Sequence, residues 1–513
     1  MTKITDKGHR GAESSPHGAP PDRDGGPAPA AALGSSVGAG AAWSLLNTSM
    51  LRLGSLAAGI VLARLLSPTD YGVYAIALVV LTLLQSFNEL GVSLALVRWA
   101  GDVRQIAATV MTVSIGASAI LYAVTYVAAP AFCGLLGAPE AVGVVRLMCV
   151  AVVIDGVATV PVGLLNRTFM QRQRFAGDAA SFLASTTTTI LLAALGAGPL
   201  SFAWGRVAGG LLATVVYVWL SPVRVWPGWN RSQVGPLLRF GLPLAGASLL
   251  VLSISNVDNL IVGGALSQAS LGLYLLAFNQ SSWPLTVFSE AARRVSLAGF
   301  SRLSHDPEAL GRAFARGFAL LMAATVPVCV LLACYAEPLI RVVYGARWVP
   351  AAVVLPPLAF LGLIRVALFV CYDVLVSLAR SRLLVELQLL WLVVLVPALV
   401  VGVRVDGIRG AGLAHAAVAG LVVAPAFFVV LRHLGLRPGR VLRSCSRPAL
   451  GGFLIAASTV VVRGLVVGAL PQLLVGGLAA ALVYLPVVAP LRSLLPAPWR
   501  TRLHVRSRRH ARV

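Results

Sequence analysis

Nine ionisable side chains fall inside stretches that are otherwise apolar: Arg52, Arg146, Arg206 and Arg365, with Glu89, Asp155, Asp178, Asp258 and Asp373. A charge at the centre of a bilayer-spanning helix costs about 2.5–3.5 kcal/mol on insertion scales unless it faces protein or water. Arg52 and Arg365 sit near the middle of their stretches, too deep for easy snorkelling, and so imply a polar interior. A cation in such an interior can hold an anionic group, and an acid can carry a coupling proton or sodium ion. Salt bridging between helices is the alternative for each, and is the reading preferred for Asp178, Arg146 and Arg206, which lie nearer the ends.

Ser253, Ser255, Asn256, Asp258 and Asn259 crowd into about two helical turns. At about 100° per residue this patch wraps much of the helix, so part of it must line a water-filled cavity. Asn279 and Gln280 add amides to the next stretch, where Trp283-Pro284 is expected to interrupt the helix, as Pro356-Pro357 is later. Arg382 and Glu386 are spaced for an ordinary i, i+4 pair. His415 could carry protons or hydrogen-bond between helices. No phosphate-binding glycine loop, metal-spaced histidine pair or Gly-x-Ser-x-Gly elbow occurs. The reading is therefore a transporter, not an enzyme, with no cofactor and no metal. The cysteines show no ligand spacing and read as small buried residues.

The stretches that carry these residues are long. Only 12% of the 513 residues are charged, mean hydropathy is +0.86, and apolar runs recur from about residue 40 to residue 495. A hydrocarbon core needs about 20 such residues per helix. Fourteen runs fit, which gives an all-α polytopic membrane protein of about 14 transmembrane helices. Residues 1–37, rich in Gly, Pro, Ser and charges, are expected to be a disordered tail.

Thirty-one of the 41 Lys and Arg fall in alternate loops and at both termini if the N-terminus is cytoplasmic, against six on the other side. That split satisfies the positive-inside rule and predicts two cytoplasmic termini. The basic tail within 496–513 is then expected to meet anionic headgroups, and a nucleic-acid role is set aside.

Leu66-Ser67, Gly72, Tyr74 and Ala77 recur 200 residues later as Leu266-Ser267, Gly272, Tyr274 and Ala277, and Leu136-Gly137-Ala138 is echoed by Tyr344-Gly345-Ala346. A Pro- and Gly-bearing linker, 221–239, follows the sixth run. Six runs per half give both halves one orientation, so two six-helix lobes, 38–220 and 240–432, should be related by a pseudo-two-fold along the membrane normal. Two additional helices, 433–495, have no counterpart.

Several blocks resemble the bacterial polysaccharide transporters, the Wzx-type flippases of the multidrug/oligosaccharidyl-lipid/polysaccharide exporter superfamily. They are Ala41-Ala42-Trp43-Ser44, the run from Ala63 to Tyr74, Glu89-Leu90-Gly91, the run from Phe300 to Glu308, and the run from Leu339 to Trp348. The resemblance implies two lobes around a central cavity, alternating access, and transfer of an undecaprenyl-diphosphate-linked oligosaccharide across the cytoplasmic membrane for exopolysaccharide or cell-surface glycan synthesis. The family has no universal catalytic motif. On that reading Arg52 and Arg365 would neutralise the diphosphate, and Asn256, Asn259, Asn279 and Gln280 would bind sugar. Glu89, Asp155, Asp258 or Asp373 would carry a coupling H+ or Na+, and polysaccharide polymerase machinery would be a partner. A cation-coupled multidrug exporter and a peptidoglycan-precursor flippase of the same superfamily are the alternatives.

Overall fold

The structure, a computed structural model, describes residues 54–88, 103–168, 170–231, 234–235, 256–288, 300, 303, 305–436 and 438–494. The expected tails 1–37 and 496–513, the block Ala41–Ser44, Arg52, Glu89, Ser253 and Ser255 lie outside the described residues. No strand occurs among those described.

The first half comprises α1 (Gly54–Leu65), α2 (Pro68–Asn88), α3 (Val103–Leu135), α4 (Ala141–Arg167), α5 (Gln171–Ala194) and α6 (Leu200–Leu220). The second comprises α7 (256–265), α8 (Gln268–Ser281), α9 (Pro307–Cys334), the short α10 (Ala336–Val343), a 3-10 turn (Ala346–Val353), α11 (Leu355–Ser377), α12 (Ser381–Val418) and α13 (Ala424–His433). Two further helices, α14 (Pro438–Leu465) and α15 (Ala469–Val488), close the described chain.

The protein is a multi-pass membrane protein, and nine stretches among the described residues are long and apolar enough to cross a bilayer. The expected count of 14 is not reached by that criterion among the described residues. α5 carries a Ser- and Thr-rich stretch, and α1, α7 and α8 are shorter than a full crossing in the described residues. The stretch 382–433 is one run that leaves helical geometry at Asp406 and Gly407. There the chain folds back, and a Cβ on Gly402 would lie 2.4 Å from the Gly410 carbonyl oxygen.

The 200-residue echo has a structural meaning. Ser67 and Ser267 cap α2 and α8: the Ser67 hydroxyl accepts from Asp70 N–H (3.2 Å), and the Ser267 hydroxyl accepts from Ser270 N–H (3.2 Å). α2 then packs directly on α8. A Cβ on Gly72 would fall 1.9 Å from the Gln268 carbonyl oxygen, and one on Gly272 would fall 1.8 Å from that of Pro68. These contacts are reciprocal, as a two-fold relation between the halves requires. Only glycine allows the backbones to come so close. The second echo marks two turns, with Gly137 at φ +64° and Gly345 at φ +99°.

The same end of the molecule is cross-linked by hydrogen bonds between the halves. The fully buried Trp348 donates its indole N–H to Ala63 O at 2.7 Å. Arg64 donates to the carbonyls of Val343 (3.0 Å) and Val342 at the end of α10, and Arg347 donates to Leu66 O at 3.4 Å. In this conformation the halves are latched together where the α1–α2 junction meets the end of α10 and the 3-10 turn after it.

Trp283-Pro284 does interrupt its helix: α8 ends at Ser281, a turn follows at Ser282, and helix resumes over 283–288. Pro356-Pro357 does not. α11 begins at Leu355, so the prolines occupy its first turn, where their missing N–H groups would have had no partner.

Candidate functional site

Between the halves lies a cavity of about 440 Å³. α1 contributes Ser55 and Gly59, α2 contributes Tyr71, and α8 with the segment after it contributes Asn279, Gln280, Ser282, Trp283 and Thr286; Tyr344 completes the wall. The helix break at Ser282 falls within this lining. The lining offers amides, hydroxyls and aromatic rings, the groups that hydrogen-bond and stack on sugars. Burial raises the Tyr344 phenol above its ordinary pKa, so it stays protonated and able to donate to an anionic or hydroxyl-rich ligand.

Of the expected binding residues, Asn279 and Gln280 are brought to this cleft. Arg365, Asn256 and Asn259 are not among its lining residues. Ser55, Tyr71, Thr286 and Tyr344 were missed, because a hydroxyl in an apolar span gives no signal until its helix face is known.

A second polar cluster is buried within the second half. Asp258 on α7 is fully buried, accepts a hydrogen bond from the Tyr274 hydroxyl at 2.9 Å, and accepts another from Asn259 N–H at 2.9 Å. His415 on α12 brings Nδ1 within 3.8 Å of Asp258 Oδ2, without a hydrogen bond. Its ring lies between Phe278 and Trp391, at centroid distances of 6.4 and 6.3 Å. The Arg365 guanidinium sits 5.5 Å over the Phe278 ring, and its charge reaches Asp258. Asn259 Oδ1 and His415 Nδ1 are buried and unpartnered. Asp373 on α11 is buried, at 2% exposure. Four elements, α7, α8, α11 and α12, thus contribute to one buried polar cluster, with the unpartnered His415 Nδ1 beside its carboxylate.

The first half holds its charges differently. Asp155 on α4 pairs with Arg206 on α6 at 2.8 Å and accepts from the Gln85 amide on α2 at 2.8 Å. Asp178 accepts from the Tyr217 hydroxyl and lies 3.8 Å from Arg174. Asp155, Asp178, Arg206 and Tyr217 line a pocket of about 350 Å³ among α4, α5 and α6. Arg146 donates to Tyr126 O at 3.0 Å and covers its ring, so its partner is no acid. Arg382 and Glu386 form the expected helix pair at 3.0 Å. Among the described residues no group of His, Cys, Asp and Glu could hold a metal ion.

A paired helical bundle with a cleft at the junction of its halves can be compared with known proteins. The family model described as polysaccharide biosynthesis protein matches residues 61–353. The chain belongs to this family. Its similar relatives include the lipopolysaccharide biosynthesis protein WzxC of Escherichia coli K12, 22% identical over 400 residues, which are 77% of this chain and 80% of that protein. The succinoglycan biosynthesis transport protein ExoT of Rhizobium meliloti is 25% identical over 303 residues, 58% of this chain and 60% of its own length. The teichuronic acid biosynthesis protein TuaB of Bacillus subtilis is 20% identical over 355 residues, 67% and 72% of the two chains.

Solved structures give this member of the polysaccharide biosynthesis protein family its fold. The lipid II flippase MurJ in an inward closed conformation superposes with a TM-score of 0.72 at 15% identity, covering 88% of this chain and 99% of that one. An inward-facing multidrug resistance MATE family transporter of the MOP superfamily gives 0.61 at 17% identity, with 75% and 95% covered.

Proposed function

We propose that this chain translocates a lipid-linked oligosaccharide across the bacterial cytoplasmic membrane by alternating access, in the synthesis of an exported polysaccharide. The observation that carries the reading is the cleft between the halves, with Asn279, Gln280, Ser282 and Thr286 facing Ser55 and Tyr71. Membership of the polysaccharide biosynthesis protein family supports it, as do relatives named for polysaccharide synthesis and transport. The alternating arginines support cytoplasmic termini. The lobe boundaries 38–220 and 240–432, the linker 221–239 and the appended 433–495 belong to the same proposal. The mix of apolar, amide and hydroxyl side chains in the lining suits the head of a glycolipid. Arg52 remains the candidate for its diphosphate, and Arg365, held over Phe278 beside Asp258, is assigned to the coupling cluster.

Ion coupling is assigned to Asp258, with Asp373 and Glu89 as further acids. Asp155 is the weaker candidate because Arg206 and Gln85 already occupy it. A proton or Na+ entering beside Asp258 would find His415 Nδ1 unpartnered 3.8 Å away. Transporters respond to such a ligand because it binds one conformation better than the other.

The test is transfer of a fluorescent lipid-linked oligosaccharide between leaflets of vesicles containing the purified full chain, with and without a pH or Na+ gradient. Wild type should transfer, and Gln280→Leu with Asn279→Leu should slow transfer at normal protein level. Asp258→Asn should abolish the gradient's effect. Absence of transfer by wild type, with accumulation of a cationic drug in its place, would favour the multidrug exporter. Transfer of a peptidoglycan precursor alone would favour the other flippase.

A further inference from the structure

The segment that leaves the first half is not a loose tether. After α6 the chain turns to extended backbone at Ser221 and runs across the ends of α3 and α4. Val223 and Val225 pack onto a small buried cluster made by Ile106, Ala107 and Val110 of α3 with Val160 and Leu164 of α4. Gly228 N–H donates to Ala108 O (3.2 Å), the Thr112 hydroxyl donates to Gly228 O (2.8 Å), and Asn230 N–H donates to Thr109 Oγ1 (3.2 Å). Successive side chains of extended backbone point to opposite faces. With the valines inward, Arg224 and Trp226 face outward; Trp229 and Arg231 are exposed beyond them. Trp226 is 81% exposed and Trp229 64%.

We propose that residues 221–231 form a membrane-interface strap whose outward face, Arg224, Trp226, Trp229 and Arg231, binds the headgroups of anionic phospholipids. Position argues for this occupant. The exposed face of α6, with Leu211, Val215 and Trp219, runs directly into the strap, so the strap continues the lipid-facing surface at its polar edge. Chemistry argues for it as well. Indole rings favour the headgroup level, where one edge is apolar and the other wet. Guanidinium groups pair bidentately with phosphate. Each cation close to an anionic bilayer adds about fivefold in affinity, so two add roughly 25-fold. The three hydrogen bonds hold the backbone at Gly228 and Asn230 against α3, and in that arrangement Arg224, Trp226, Trp229 and Arg231 are all exposed. The assignment holds for either orientation of the chain, because it needs only the strap's place at the end of α6.

The full-length chain would be reconstituted into phosphatidylcholine bilayers containing rising shares of brominated phosphatidylglycerol, and tryptophan fluorescence followed. Subtracting a Trp226→Phe, Trp229→Phe double variant isolates the strap. Its signal should be quenched at a low share of the anionic lipid and only at a high share of brominated phosphatidylcholine. Arg224→Gln with Arg231→Gln should raise the half-quenching share roughly 25-fold, and Arg224→Lys with Arg231→Lys should restore most of the preference. Quenching by aqueous iodide in place of brominated lipid would overturn the proposal in favour of water or a soluble protein partner. An unchanged half-quenching share in the glutamine variant would overturn the anionic selectivity.

Discussion

Tyr274 and Arg206 each hold a carboxylate, and their surroundings make the two bonds unequal. The Tyr274 hydroxyl serves an Asp258 with no exposed surface, whereas Arg206 and Asp155 are each about a third exposed. Hydrogen bonds to a charged group contribute about 1.5–3 kcal/mol, and leaving a buried acceptor unsatisfied incurs its full desolvation penalty. Partly exposed ion pairs contribute about 0–1 kcal/mol, and Asp155 would keep its Gln85 bond. Tyr274→Phe should therefore lower the thermal midpoint of the purified protein by more than Arg206→Leu, and the reverse order in a melting assay would reject the ranking. The sequence exposes Asp258 as costly, because an acid amid Leu, Ile and Val demands an explanation. It does not expose Tyr274 as the donor, nor Gln85 beside Asp155. Those pairings depend on which faces of α2, α4, α7 and α8 turn together, and spacing along one helix does not determine that.

Helices α2 and α8 meet through the two copies of one short motif. Its Ser and Gly are legible in the sequence as an echo, and the structure supplies the reason: a cap that starts each helix and a glycine that lets each backbone reach its twin. The latch beside it was not legible. Trp348 and Ala63 are 285 positions apart, and a backbone carbonyl as acceptor leaves no mark on residue type. The Asp406–Gly407 reversal was legible only as a gap between two apolar runs. Because any Cβ at residue 72 collides with the Gln268 carbonyl, Gly72→Val should force α2 and α8 apart. Spin labels on Leu65→Cys and Arg341→Cys, with Cys334 and Cys445 replaced by Ala, would report a longer distance in that variant than in its parent. An unchanged distance would show that the crossing is not what holds this end closed.

Across the whole molecule, the two helices beyond the repeat bear on the latch from the side of the second half. α14 packs along α9, where a Cβ on Gly452 would lie 2.7 Å from Val326, and α15 packs on both α14 and α10. The Tyr484 hydroxyl donates to Ala323 O at 2.8 Å, and Gly476 gives room to the Tyr335 ring at the start of α10. Arg463 adds an ion pair to Glu337 at 3.9 Å and a bond to Cys334 O at 3.4 Å. α10 in turn ends in the Val342 and Val343 carbonyls that receive Arg64. The appended pair is therefore a brace behind the acceptor side of the latch. Gly476→Leu would drive a side chain into the Tyr335 ring, where overpacking costs about 1–3 kcal/mol. It should displace α10 and broaden the distance distribution between labels at residues 65 and 341. Leu478→Ala, on an exposed position of the same helix, should leave that distribution unchanged. If both variants match the parent, α14 and α15 stabilise α9 alone and have no hold on the closure between the halves.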